Sequence, residues 1–155
     1  MFTPIRCKTH INPSVNLLIS DLQLTLPTFT DARGALCVAD AVAEPSLPFT
    51  PQRVFWITDV PGRTRRGGHA HRSCHELLAC IAGRCQVTLR TPTDERTFTL
   101  DAPHQALHIP PMVWCDIHGF SDVCALVCLA SETYKPEGYI HDFQQFMREA
   151  QTPTP

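Results

Sequence analysis

Fourteen prolines are spread through the 155 residues, against only seven glycines, and this limits the chain to short elements. Proline removes a backbone donor and breaks helix interiors, so many short strands joined by fixed turns are expected and the all-β class follows. One domain with one core fits the length, because domains hold roughly 100 to 200 residues and two cores would each be too small to be stable.

Hydrophobic periodicity places the elements. In Cys85-Gln-Val-Thr-Leu-Arg90, Cys85, Val87 and Leu89 alternate with polar residues, the period of a half-buried strand. Further strands are predicted at 54–60, 76–81, 97–100, 106–109, 113–117 and 123–130, spaced as in a sandwich or closed barrel. Thr30-Asp-Ala-Arg-Gly34 reads as a turn into the apolar 35–39, and Glu44-Pro-Ser-Leu-Pro48 as an irregular connection. One helix is expected at about 140–150, where Ile140, Phe143, Phe146 and Met147 share a face. Residues 1–20 read as an irregular extension, and 21–155 as the single domain.

A formal net charge of −2 offers no basic face for nucleic acid, so small molecules or protein are the expected partners. No apolar run suits a signal peptide or a membrane span, and the expected location is the cytoplasm. Most of the eight cysteines (Cys7, Cys37, Cys74, Cys80, Cys85, Cys115, Cys124 and Cys128) lie inside apolar runs. No Cys-x-x-Cys pair occurs, so they read as small buried hydrophobes rather than a disulfide framework or zinc ribbon.

The chemistry concentrates in Arg66-Gly-Gly-His-Ala-His71. On a strand, His69 and His71 share a face and can converge on one ligand. With Glu76 and Gly83 they form His-x-His-x4-Glu-x6-Gly, which resembles the first cupin motif. The second motif, Pro-x-Gly-x-x-His, is matched by Pro110-Pro-Met-Val-Trp-Cys115, with Met112 for glycine and Cys115 for histidine. The resemblance implies a cupin-type jelly-roll barrel with a short C-terminal helix.

A narrower resemblance runs from Leu26 to about Phe146. Asp31-Ala-Arg-Gly34, Arg53-Val54, Arg66 to Arg72, Gly83-Arg-Cys85, Ile109-Pro-Pro111, Val113-Trp114, Ala130-Ser131 and Tyr139-Ile140 look like the sugar-nucleotide 3,4-ketoisomerase family. This implies an enzyme acting on dTDP-4-oxo-6-deoxyglucose, without cofactor or metal, as a homodimer that exchanges strands. It further implies that His71 is the base working between C3 and C4, that His69 assists proton movements on oxygen, and that Arg33 is an active-site arginine. Histidine suits the task because its ordinary pKa near 6.5 lets it take and return a proton near neutrality. Arg53, Arg66 and Arg72 are candidates for the diphosphate, as guanidinium pairs with phosphate bidentately. Glu76, Phe55 and Trp114 complete the expected substrate-binding set.

The family usually carries tyrosine at Phe55, glutamine at Glu76 and histidine at Cys115. Either Tyr134 or a water supplies the hydroxyl that Phe55 lacks, or turnover is altered. Cys115 by itself reads as a small buried residue, and Arg63 to Arg66 as a solvated loop. His75 should face away from Glu76; His10, His104, His108, His118 and His141 carry structural or surface roles. Two rival readings stand beside the isomerase. One is a metal-dependent cupin using His69, His71, Glu76 and Cys115; the other is a non-catalytic sugar-nucleotide binder.

Overall fold

The computed structural model describes residues 18–41 and 47–151. Residues 1–17 of the extension expected at 1–20, and 44–46 of the expected connection, therefore lie outside the described residues, whereas Ile19 and Ser20 already belong to the fold. A 3-10 turn at Ile19–Leu22 leads into β1 (Gln23–Thr25), β2 (Thr28–Asp31), β3 (Gly34–Cys37), β4 (Arg53–Thr58), β5 (Arg66–His71) and β6 (Glu76–Ala82). Then follow β7 (Cys85–Arg90), β8 (Glu95–Leu100), β9 (Gln105–Ile109), β10 (Trp114–His118), β11 (Ala125–Ala130), β12 (Tyr139–Ile140) and the helix α1 (Phe143–Gln151). No helix among the described residues is long and apolar enough to cross a membrane.

The strands form two five-stranded antiparallel sheets, β1-β9-β6-β11-β4 and β12-β5-β10-β7-β8, with β2-β3 as a separate hairpin. This is the jelly roll expected from the cupin motif. Alternation decides what lies between the sheets: Leu78, Cys80, Leu107, Leu126 and Cys128 of one meet Cys85, Val87, Leu89, Cys115 and Ile117 of the other. Ile19 and Leu22, 0% and 2% exposed, close one end of that core. The outer face of the first sheet is covered by Leu26, Leu47 and Phe49, packed on Leu77, Ala79 and Ala106.

The outer face of the second sheet is covered by α1, whose Phe146 joins Ala70, Trp114 and Ile140 in a third apolar cluster. The helix was expected from Ile140, but it starts at Phe143. Tyr139 and Ile140 instead pair with His71 and Ala70 as β12, and Asp142 Oδ1 then accepts the Gln145 backbone N–H at 2.6 Å, a side-chain cap that sets the first turn. Arg72 fastens this segment: its guanidinium donates to Glu149 and to the carbonyls of Glu137 and Tyr139.

His75 does face away from Glu76, onto the outer side of the first sheet. Its Nδ1 lies 2.9 Å from His108 Nε2, and both rings pack near Phe49. Burial, with the neighbouring His75 second, pushes the His108 pKa down to about 4, and burial lowers His75 as well. The unfolded chain takes up a proton at this position near pH 6.5, whereas the folded one holds off until about 4. The unfolded state therefore binds more protons between those values, and stability is lost as pH falls through that window. At about 1.4 kcal/mol per pH unit the loss from His108 amounts to about 3 kcal/mol. Urea melts at pH 7 and pH 4.5 should show this slope in the wild type and much less of it in His108→Gln; equal slopes would reject the assignment.

Candidate active site

The site lies at one end of the barrel, where β4 and β6 begin and β5 ends. Gly67, at φ +76°, brings β5 against β10 so closely that a Cβ there would sit 2.5 Å from the Cys115 carbonyl oxygen. The register shifts between Cys115 and Asp116 at the same place, a local irregularity of the kind that re-aims side chains. His69 and His71 consequently share the inner side with Cys115, while Ala70 packs outward under α1.

The two imidazoles are 5.0 Å apart, centroid to centroid, and edge-to-face. His71 is 4% exposed, and its Nε2 lies 3.1 Å from Glu76 Oε1. Beyond that ion-pair contact the nitrogen is buried and makes no hydrogen bond. Glu76 is itself buried and is compensated on its other side by Arg53, whose NH2 is 3.8 Å from the same oxygen. Burial, followed by the His71 charge, lowers the His69 pKa, while Glu76 opposes the shift. His69 is thereby held toward its neutral form, able to accept as well as donate.

Tyr139 completes the group and was not among the site residues drawn from the sequence. Its ring lies 4.3 Å from His71 and 5.0 Å from His69, and its hydroxyl accepts from Arg53 at 3.3 Å. Burial raises its pKa despite the opposing arginine, so the phenol is kept protonated. His141 stacks on it at 5.6 Å and comes within 5.8 Å of His69. Tyr139 and His141 repeat the two-residue step of His69 and His71, the signal that could have found them. Arg53 also lies over Phe55 and Tyr134, at 5.1 Å and 5.6 Å from the ring centres. Beside His71 opens a cleft lined by Arg53, Ser73, Cys74, Glu132, Lys135 and Tyr139.

Not every expected residue arrives here. Trp114 is 6% exposed on the opposite face of its sheet, against Phe143 and Phe146, because it sits one position from the inward Cys115. Its indole N–H donates to Asp116, so it supports the sheet rather than lining the barrel. Arg72, next to the inward His71, likewise points out and clamps α1. Arg66 is exposed at the start of β5. Arg33 is at the tip of the β2-β3 hairpin, 90% exposed and paired with Asp31, and is not among the residues lining the cleft beside His71.

Cys115 is buried, and burial, with Glu76 and Asp116 nearby, drives its thiol well above the ordinary range. It is thus a neutral wall of the pocket and not a thiolate. Met112 stands where the cupin motif has glycine and adopts φ +58°. Its backbone N–H donates to the His71 carbonyl at 2.8 Å, holding this left-handed turn against the end of β5. The nitrogen and carboxylate atoms of His69, His71 and Glu76 all lie within 4.8 Å of one another, a spacing that could also hold a metal ion, and Cys115 is not part of that group.

The family model described as FdtA, WxcM-like, C-terminal matches residues 20–151. The chain belongs to the FdtA-like family. A relative from Aneurinibacillus thermoaerophilus, TDP-4-oxo-6-deoxy-alpha-D-glucose-3,4-oxoisomerase, is 35% identical over 118 residues, covering 76% of this chain and 84% of its own. The 3,4-ketoisomerase QdtA from Thermoanaerobacterium thermosaccharolyticum, solved with TDP, superposes with a TM-score of 0.78 at 31% identity, over 83% of this chain and 93% of its own. A histidine-to-asparagine variant of QdtA has been solved with TDP-4-keto-6-deoxyglucose. A 3,4-ketoisomerase from Helicobacter canadensis gives a TM-score of 0.79 at 28% identity, over 84% and 96%. The family, the cupin-type fold and the enzyme class expected from the residues are therefore borne out: this FdtA-like chain is a sugar 3,4-ketoisomerase, an intramolecular oxidoreductase.

Proposed function

We propose that this FdtA-like enzyme converts a TDP-linked 4-oxo-6-deoxyhexose into its 3-oxo isomer, with His71 as the carbon acid's base. The observation that carries the reading is the unbonded Nε2 of His71, buried 3.1 Å from Glu76 with His69 and Tyr139 around it. His71 takes the proton from C3, and the released electron pair forms the C3=C4 bond while the C4 oxygen becomes an oxyanion. The hydroxyl proton of O3 passes to O4 through His69. The C3 carbonyl then forms, and the pair at C4 takes the proton back from His71. No electrons leave the sugar, so the chemistry is general acid/base work.

Arg53 and the Tyr139 hydroxyl are in place to steady the enediolate oxygens, as preorganised donors do in a site shielded from water. Tyr139 then supplies the phenol that Phe55 lacks, a role expected of Tyr134 or a water. Lys135 at the rim and Arg53 inside the cleft are the cations best placed for the diphosphate. The relatives solved with TDP and with TDP-4-keto-6-deoxyglucose support this choice of substrate. Incubation with TDP-4-oxo-6-deoxyglucose and a 3-aminotransferase tests it: the coupled amine should form only with the enzyme present. Binding without coupled product would favour the non-catalytic reading.

The grouping of His69, His71 and Glu76 favours one second reading, a metal-assisted isomerase. Activity that tracks near-stoichiometric transition metal in elemental analysis would select it. The β2-β3 hairpin, which carries exposed Phe29 and Leu36 and pairs with no other strand of the described residues, supports a strand-exchanged homodimer that would relocate Arg33 toward a partner's site. Light scattering at micromolar concentration should give the mass of two chains; a monomer would reject it.

A further inference from the structure

At the end of the barrel opposite His71, three cysteines meet. Cys80 closes the inward row of β6, Cys85 begins β7 in the facing sheet, and Cys124 immediately precedes β11. Their sulfurs lie within 4.8 Å of one another, and Cys80 Sγ is 3.8 Å from Cys124 Sγ. Zinc–sulfur bonds of about 2.3 Å in a tetrahedron put neighbouring sulfurs about 3.8 Å apart, so this edge already has the length that a bound ion requires.

The backbone holds the three in place before any ion arrives. The turn between β6 and β7 lies so close to the 121–123 loop that a Cβ at Gly83, where φ is +71°, would fall 1.8 Å from the Val123 carbonyl oxygen. Ser121 locks the two turns together: its backbone N–H donates to the Arg84 carbonyl, its hydroxyl oxygen accepts from the Arg84 N–H, and the hydroxyl also contacts the Val123 carbonyl. Cys80 and Cys85 are 1% and 0% exposed, whereas Cys124 is only partly covered, so an ion could enter on the Cys124 side. Asp101 lies close enough to act on Cys80 electrostatically and adds negative charge to the neighbourhood. None of the three thiols has a part in the isomerisation, since Cys80 lies four positions along β6 from Glu76, at about 3.3 Å each.

We propose that Cys80, Cys85 and Cys124 form a binding site for a thiophilic d10 cation of the zinc class. Three thiols release three protons to a divalent ion, giving a tris-thiolate complex of net charge −1 with water in the open fourth position. All-sulfur donors favour such soft or borderline ions over magnesium or calcium. Cadmium is the probe, because only thiolate coordination gives its ultraviolet charge-transfer band.

Titration of the reduced, metal-free full chain with Cd2+ should produce that band with a stoichiometry of one per chain, displaceable by Zn2+. Cys124→Ser, chosen because Cys124 is at the rim where substitution spares the core, should lose the band and bind at least tenfold more weakly. Its isomerase activity without metal should be unchanged, and Cys37→Ser should behave as wild type. No band, a band that persists in Cys124→Ser, or a reduced protein that does nothing but close a Cys80–Cys124 disulfide on air oxidation would overturn the proposal. Cadmium held by His69, His71 and Glu76 gives no thiolate band and would count against it equally.

Discussion

Replacing His71 by asparagine is expected to lower kcat by a factor of about 10²–10⁴, the usual contribution of a positioned acid or base. TDP affinity should change by no more than a few-fold. The split follows from where the ring sits. Its Nε2 is a buried atom without a hydrogen bond, so the substitution removes the proton carrier. The cations nearest the cleft, Arg53 and Lys135, remain in place. Asparagine is polar and matches the proximal half of an imidazole, so it fills that part of the site but ends short of the Nε2 position beside Glu76. Coupled turnover and TDP calorimetry measure the two quantities separately. Unchanged turnover would remove His71 from the reaction, and loss of binding and turnover together would assign it to the substrate pocket alone.

The second large effect is expected far from the chemistry. Phe146→Ala should destabilise the fold by about 3–5 kcal/mol, the range for truncating a buried phenylalanine. Phe146 is fully buried against Trp114, at 5.6 Å between ring centres, and joins Ile140 and Ala70 in the cluster beneath α1. At about 2–4 °C per kcal/mol for a domain of this size, the melting temperature falls by roughly 10 °C. The consequence reaches the site because α1 presses on Ile140, and Ile140 is half of the two-residue strand that carries Tyr139 to His71. Turnover should therefore drop below the level explained by the unfolded fraction. Thermal melts with single-turnover kinetics below the transition test this. A full-strength enzyme with a lowered melting point would detach Tyr139 from the reaction, and an unchanged melting point would reject the packing argument.

Period-two patterning made the barrel strands from β6 on legible: β7 occupies the predicted 85–90, and β6, β8, β9, β10 and β11 start within two residues of expectation, whereas the short β1, β2 and β12 were not expected. The patterning was less informative where a residue's partner is distant in sequence. Ile140 has helical spacing with Phe143 and Phe146, yet it pairs with Ala70, seventy positions earlier, and the pairing overrides the local preference. Trp114 was assigned to the pocket as part of a motif, but strict alternation from the inward Cys115 sends it outward. Likewise Arg72 follows His71 and so points away from it, although a diphosphate role had seemed natural for any nearby guanidinium.

The residues alone determined the all-β class, the family and the shared face of His69 and His71, because proline content, the order of motifs along the chain and alternation along a strand are all readable without tertiary contacts. The tertiary structure decided which side chains join that pair. Tyr139 and Arg53, 86 positions apart, reach it from edge strands of the two sheets, and Cys80, Cys85 and Cys124 gather from two sheets at the other end of the barrel. Contacts of that kind arise only when sheets close on each other, and side chains remote in the chain are then driven together by the burial of the faces between them.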